Sequence, residues 1–140
     1  MGTTAIDAKS ALKAIVDALP AFVDMQSTWG FPSRDPEKRW VYFGNIVWES
    51  SDWHTNRGRQ EKYGIDFAIN IQGARSTAEE VESECIRLLE LIEEAVKADP
   101  RLGGIVVDTS VVPEDLKSWP GAGGSMEAQV AARLDVTARL

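Results

Sequence analysis

Apolar residues recur at every third or fourth position near the start of the chain. Ala8, Leu12, Ile15, Val16 and Leu19 share one stripe, which predicts an amphipathic helix over residues 5–19. Pro20 stops that pattern. Residues 22–28 then read as a short strand, with Val23 and Met25 opposite Asp24 and Gln26. Trp29-Gly30-Phe31-Pro32 opens a turn-rich loop that runs to Pro36. Residues 40–48, rich in aromatic and β-branched side chains, predict a second strand.

A polar stretch, residues 49–60, leads to the clearest alternation of the first half. Tyr63, Ile65, Phe67, Ile69 and Ile71 fall on one face and Lys62, Asp66, Asn70 and Gln72 on the other. Ser76 and Glu79 have capping-box spacing, and Val81, Cys85, Leu88, Leu89, Ile92, Ala95 and Val96 form the inner stripe of a long helix. That helix ends near Asp99-Pro100, and Gly103-Gly104 turns the chain into a strand over residues 105–112. Residues 113–125 read as a mobile loop carrying Trp119. The last strand alternates Met126, Ala128, Val130, Ala132, Leu134, Val136 and Ala138 with polar neighbours.

The order is α-β-β-β-α-β-β. Period-two patterning this regular implies a largely antiparallel sheet with one covered and one wet face. Two helices packed on one face complete an α+β, two-layer sandwich. All 140 residues (1–140) read as a single domain, long enough to bury a core without metals or disulfides.

Charge narrows the function classes. A net charge of −7 argues against general nucleic-acid binding. The acidity is concentrated in Glu79, Glu80, Glu82, Glu84, Glu90, Glu93 and Glu94, spaced over the outer side of the long helix as a solvated face. The single cysteine, Cys85, excludes an internal disulfide and fits a reducing compartment. No apolar run is long enough to span a bilayer, and the first residues lack the layout of a signal peptide; a cytoplasmic product is expected.

Candidate chemistry is sparse. His54 is the only histidine, so any metal site or nucleophile–histidine relay must use it. It lies in a polar stretch beside Asp52 and Trp53, far from Cys85 on the buried helix stripe. Gly121-Ala122-Gly123-Gly124 precedes a strand, not a helix, and lacks a following Lys-Ser or Lys-Thr pair, so it is no phosphate loop. No catalytic residue, metal ligand or cofactor is expected. Trp53 and Trp119, both placed in long loops, are candidate contact anchors, because tryptophan is enriched at interface hot spots. His54, Arg57 and Arg59 join them as candidate assembly contacts, the arginines being suited to the glutamate-rich helix of a neighbouring copy.

Several short motifs, taken in order, resemble the tail terminator proteins of long flexible-tailed bacteriophages. They are Trp29-Gly30-Phe31-Pro32; the strand Trp40-Val41-Tyr42-Phe43-Gly44; the Glu-x-Tyr strand Glu61-Lys62-Tyr63-Gly64-Ile65-Asp66-Phe67; and Asp99-Pro100-Arg101-Leu102-Gly103-Gly104, with a chain that runs out as Ala138-Arg139-Leu140. The resemblance implies a non-enzymatic virion protein of the tail or neck, assembled in the host cytoplasm. It implies a homo-oligomeric ring, usually of six copies, that caps the tail tube and ends its polymerisation. Its partners would be the tail tube protein and the head–tail connector, with DNA passing through the ring. Small residues Gly64, Ala68 and Ala131 on the wet face would admit another element. A neck protein on the head side is the alternative, and a small-molecule-binding α+β module a more distant one.

Overall fold

In a computed structural model, residues 3–32, 38–49 and 60–139 are described. Helix α1 spans Ala5–Asp17 and α2 Ala78–Ala98; the strands are β1 (Gln26–Trp29), β2 (Arg39–Trp48), β3 (Gln60–Gly73), β4 (Asp108–Pro120) and β5 (Met126–Arg139). They form one sheet in the order β1-β2-β3-β5-β4. Only β1 and β2 run parallel; every other pairing is antiparallel. This is the expected α+β order, with both helices on one side of the sheet.

The centre of the sheet is the β3–β5 ladder, which pairs Gln60 with Arg139 through to Gly73 with Met126 without a break in register. Its alternation places Tyr63, Ile65, Phe67, Ile69 and Ile71 beside Ala128, Val130, Ala132, Leu134, Val136 and Ala138 in one apolar layer. Three of the six inward residues of β5 are alanines, and the α2 stripe of Val81, Cys85, Leu88, Leu89, Ile92 and Val96 joins the same core. Helix α1 adds Ala8, Leu12 and Val16 to the same core.

Several boundaries differ from the sequence expectation. The capping box uses Thr77 and Glu80, not Ser76 and Glu79: the Thr77 side chain accepts from the Glu80 N–H, and the Glu80 carboxylate accepts from the Thr77 N–H. Residues 22–28 do not make one strand. Pro20–Phe22 is a 3₁₀ turn, and β1 starts at Gln26 once Phe22 and Met25 have entered the core. The fourth strand is shifted and longer. Residues 105–107 precede it, and it continues through residues 113–120, which were expected to be loop, because β5 offers paired backbone along that whole length. Pro113 is accommodated at a register shift between Pro113 and Asp115 on this edge strand.

Three of the resembling motifs sit at junctions of the fold. In Asp99-Pro100-Arg101-Leu102-Gly103-Gly104, Leu102 is buried at a φ of 49°, followed by Gly103 at 72° and Gly104 at 94°. Glycine tolerates this left-handed backbone, and the Asp99 carboxylate accepts from the Gly103 N–H at 3.1 Å. In Trp29-Gly30-Phe31-Pro32, Gly30 has a φ of 81° and donates its N–H to the Phe43 carbonyl at 2.7 Å.

The Glu-x-Tyr pair fastens α1 to the sheet. Glu61, only 3% exposed, accepts from the Thr3 hydroxyl, from the Thr4 N–H at 3.1 Å and from the Trp48 indole at 2.9 Å. The Tyr63 hydroxyl meets Thr4 Oγ1 at 2.8 Å. Burial pushes the Glu61 carboxyl upward, but the hydrogen bonds from Thr3, Trp48 and Thr4 outweigh it and hold it below the usual carboxylate range. A second tether, from Lys9 Nζ to the Gly44 carbonyl at 2.6 Å, secures α1 at the β2 irregularity, with the ammonium over the Trp29 ring.

Two outcomes follow. Leu88→Ala, at a fully buried position on the inner stripe of α2, is expected to cost about 2–5 kcal/mol in denaturant unfolding; a loss under 1 kcal/mol would contradict this packing. A depressed Glu61 carboxyl adds stability that is present above its unfolded value of about 4.3 and is lost as pH falls through its folded value. Glu61→Gln should therefore cost on the order of 1–3 kcal/mol at neutral pH and flatten the decline of melting temperature on acidification. Parallel declines in wild type and variant would refute the assignment.

Candidate assembly surfaces

The face of the sheet opposite the helices holds an aromatic cluster that the period-two reading left out. Strand β2 is apolar on both faces: Val41 and Phe43 enter the core, while Trp40 and Tyr42 point the other way. The Gly30 turn carries Phe31 back over them. Its ring lies 5.6 Å from Trp40 and 5.7 Å from Tyr42, edge-on to both, and Trp40 and Tyr42 stack at 5.1 Å. Trp40 is thereby reduced to 5% exposure, whereas Phe31 is 70% exposed. The signal was present in the sequence: aromatic residues at positions 40 and 42 interleave with core residues at 41 and 43.

Trp119 occupies a different place from the one expected. It lies in β4, half-buried on this second face, and its indole donates to Glu127 at 3.1 Å. The hairpin that follows is closed on itself: the Gly121 N–H donates to the Ser125 carbonyl, and the Ser125 N–H and hydroxyl donate to the Ala122 carbonyl. Trp53, His54, Arg57 and Arg59 lie outside the described residues.

Small residues on this face do not leave it open. A Cβ on Gly64 would fall 2.3 Å from the Arg133 side chain, which fills that space. Arg133 donates to Asp135 at 2.5 Å and approaches Glu114 at 3.6 Å. Ala68, between Tyr42 and Ala131 in register, is buried. The face is thus aromatic at its β2 side and charged toward β4.

On the helix side, an open groove of about 540 Å³ runs between α2 and the edge strand β4. Ile86 and Leu116 line it with Glu79, Glu82 and Glu90. Glu82 accepts from the Ser118 hydroxyl at 2.6 Å, and Arg87, also at the groove, is paired with Glu84 at 2.6 Å. The edge itself is blunted by Pro113 and its irregularity and by the exposed Glu114 and Asp115.

Cys85 is a core thiol. Burial pushes it up to about 11, and it faces the Ile69 carbonyl. Among the described residues no group of three or more His, Cys, Asp or Glu side chains is arranged to hold a metal, and no helix is long and apolar enough to cross a membrane.

No family model matches the chain, and no curated protein matches it. Among solved structures, it is similar to one chain of "Virion of native gene transfer agent (GTA) particle", at 11% identity and a TM-score of 0.47, over 92% of this chain and 93% of that one. A likeness of that degree assigns neither fold nor function.

The aromatic cluster separates support from contact. Trp40→Ala should cost about 3–5 kcal/mol of stability, whereas Phe31→Ala should cost about 1 kcal/mol or less. Equal losses in thermal or denaturant unfolding would mark Phe31 as part of the core.

Proposed function

We propose that the chain is a structural protein of a tailed-phage virion, a tail terminator that assembles as a six-fold ring on the end of the tail tube. The observation that carries this reading is the exposed aromatic cluster on a sheet face that no described element covers. A 70% exposed phenylalanine set edge-on against a tryptophan and a tyrosine is costly to leave in water and suited to a protein contact.

The resembling motifs support the same reading through what they do. Gly30, Glu61, Tyr63 and the Leu102-Gly103-Gly104 turn fix strand ends and helix ends; none presents a reactive group to solvent. In this reading the chain is not an enzyme. Its helices and sheet are scaffold, and residues 50–59, Phe31 and Trp119 supply contacts to further copies, to the tail tube protein and to the head–tail connector. DNA passes through the ring without sequence-specific contacts, as the net charge of −7 suits.

Deleting the gene from a phage that carries it should yield headless tails of uncontrolled length in electron micrographs. Tails of normal length beside DNA-filled, unjoined heads would move the protein to the head side of the neck. Normal virions would refute a structural role.

A further inference from the structure

We infer that the groove between α2 and β4 receives a second copy of this chain, through the arginine-bearing residues 50–59 that join β2 to β3; this rests on the ring reading above. The groove combines an apolar floor, Ile86 and Leu116, with an acidic rim of Glu79, Glu82 and Glu90; Arg87, in the same lining, is paired with Glu84 at 2.6 Å. Trp53 and the cations Arg57 and Arg59 offer the complementary chemistry in one short segment. Lys62 and Arg139, both exposed, lie at the same end of the sheet, where Gln60 pairs with Arg139. In sequence, Asp52 lies in the half of the segment that follows β2, and Arg57 and Arg59 in the half that precedes β3.

The occupant must come from another copy, because the segment of the same chain cannot reach. Leu116 pairs with Val130, which pairs with Ile69, nine residues along β3 from Gln60. At about 3.3 Å per residue the groove centre is therefore roughly 30 Å along the strand direction, and two strand spacings, about 10 Å, to the side. Arg57 is only three residues from Gln60, a reach of about 11 Å at full extension. A contact from one copy's sheet end to the next copy's helix–strand flank uses two different surfaces, which is the head-to-tail arrangement that closes into a ring. Charge complementarity of this kind selects partner and register, and it weakens with salt.

The test is a reciprocal charge reversal in the full chain. Glu79→Arg/Glu90→Arg alters two exposed positions of the groove, and Arg57→Glu/Arg59→Glu alters the segment; circular dichroism melting checks that each still folds. In sedimentation velocity and native mass spectrometry, wild type should form closed oligomers. Each variant alone should self-associate at least tenfold more weakly. An equimolar mixture of the two variants should regain assembly, in even-numbered oligomers only, since like variants repel. Wild type that stays monomeric, variants that assemble as wild type does, or a mixture that fails to regain assembly would each overturn the proposal. So would a groove variant that keeps self-assembly and loses only tail-tube binding. These outcomes are separable from the function: assembly through the groove with normal tails after gene deletion would sink the terminator reading and leave the groove intact.

Discussion

Everything in this fold depends on the unbroken pairing of β3 with β5. Their fourteen-residue strands stay in register from end to end, so a side-chain period of two is kept across the middle of the sheet. One slipped residue would send Ile65, Phe67, Ile69, Val130 and Leu134 to solvent together. Because the register is held, both helices can settle on a continuous apolar floor, and α2 needs nothing more than a single stripe of six buried residues to dock.

That arrangement has a consequence at the margins. A sheet clothed on one side leaves a second face and two edges. The chain treats them differently: aromatic stacking on the β2 side, an Arg133-centred charge cluster over Gly64, and a blunted edge at β4. Indiscriminate edge-to-edge pairing is discouraged there by Pro113, Glu114 and Asp115. Specific contacts then fall to side chains, to the exposed Phe31 and to the acidic groove beside α2, more than to free backbone. Polar anchoring serves the same end. Buried Glu61 and Lys9 tie α1 to β2 and β3 by hydrogen bonds whose geometry is unique, where an apolar contact would tolerate sliding.

The candidate surfaces were less legible than the scaffold. Trp40 and Tyr42 read as strand residues on a face that alternation predicts to be wet; Phe31 comes to lie on them only through the Gly30 turn. Pro113 and Pro120 predict breaks around Trp119, whereas β5 is available to hold that backbone in a ladder. The burial of Glu61 has no local signal: four hydrogen bonds from Thr3, Thr4 and Trp48 make it tolerable, and three of these donor groups lie nearly sixty residues away in the chain.

The amino-acid pattern by itself determined the element types, their order, and which face of β3, β5, α1 and α2 is buried, because periodicity is a local property that survives without knowledge of neighbours. The cap of α2 was misplaced by one residue, since Ser76 and Thr77 both head a run with glutamate three positions on. Only the tertiary structure decided how far β4 extends, what covers Gly64 and Trp40, where the buried carboxylate finds its donors, and that an acidic helix face and an edge strand enclose a groove. Each of these depends on groups distant in sequence meeting in space, and no local repeat of apolar and polar residues encodes such a meeting.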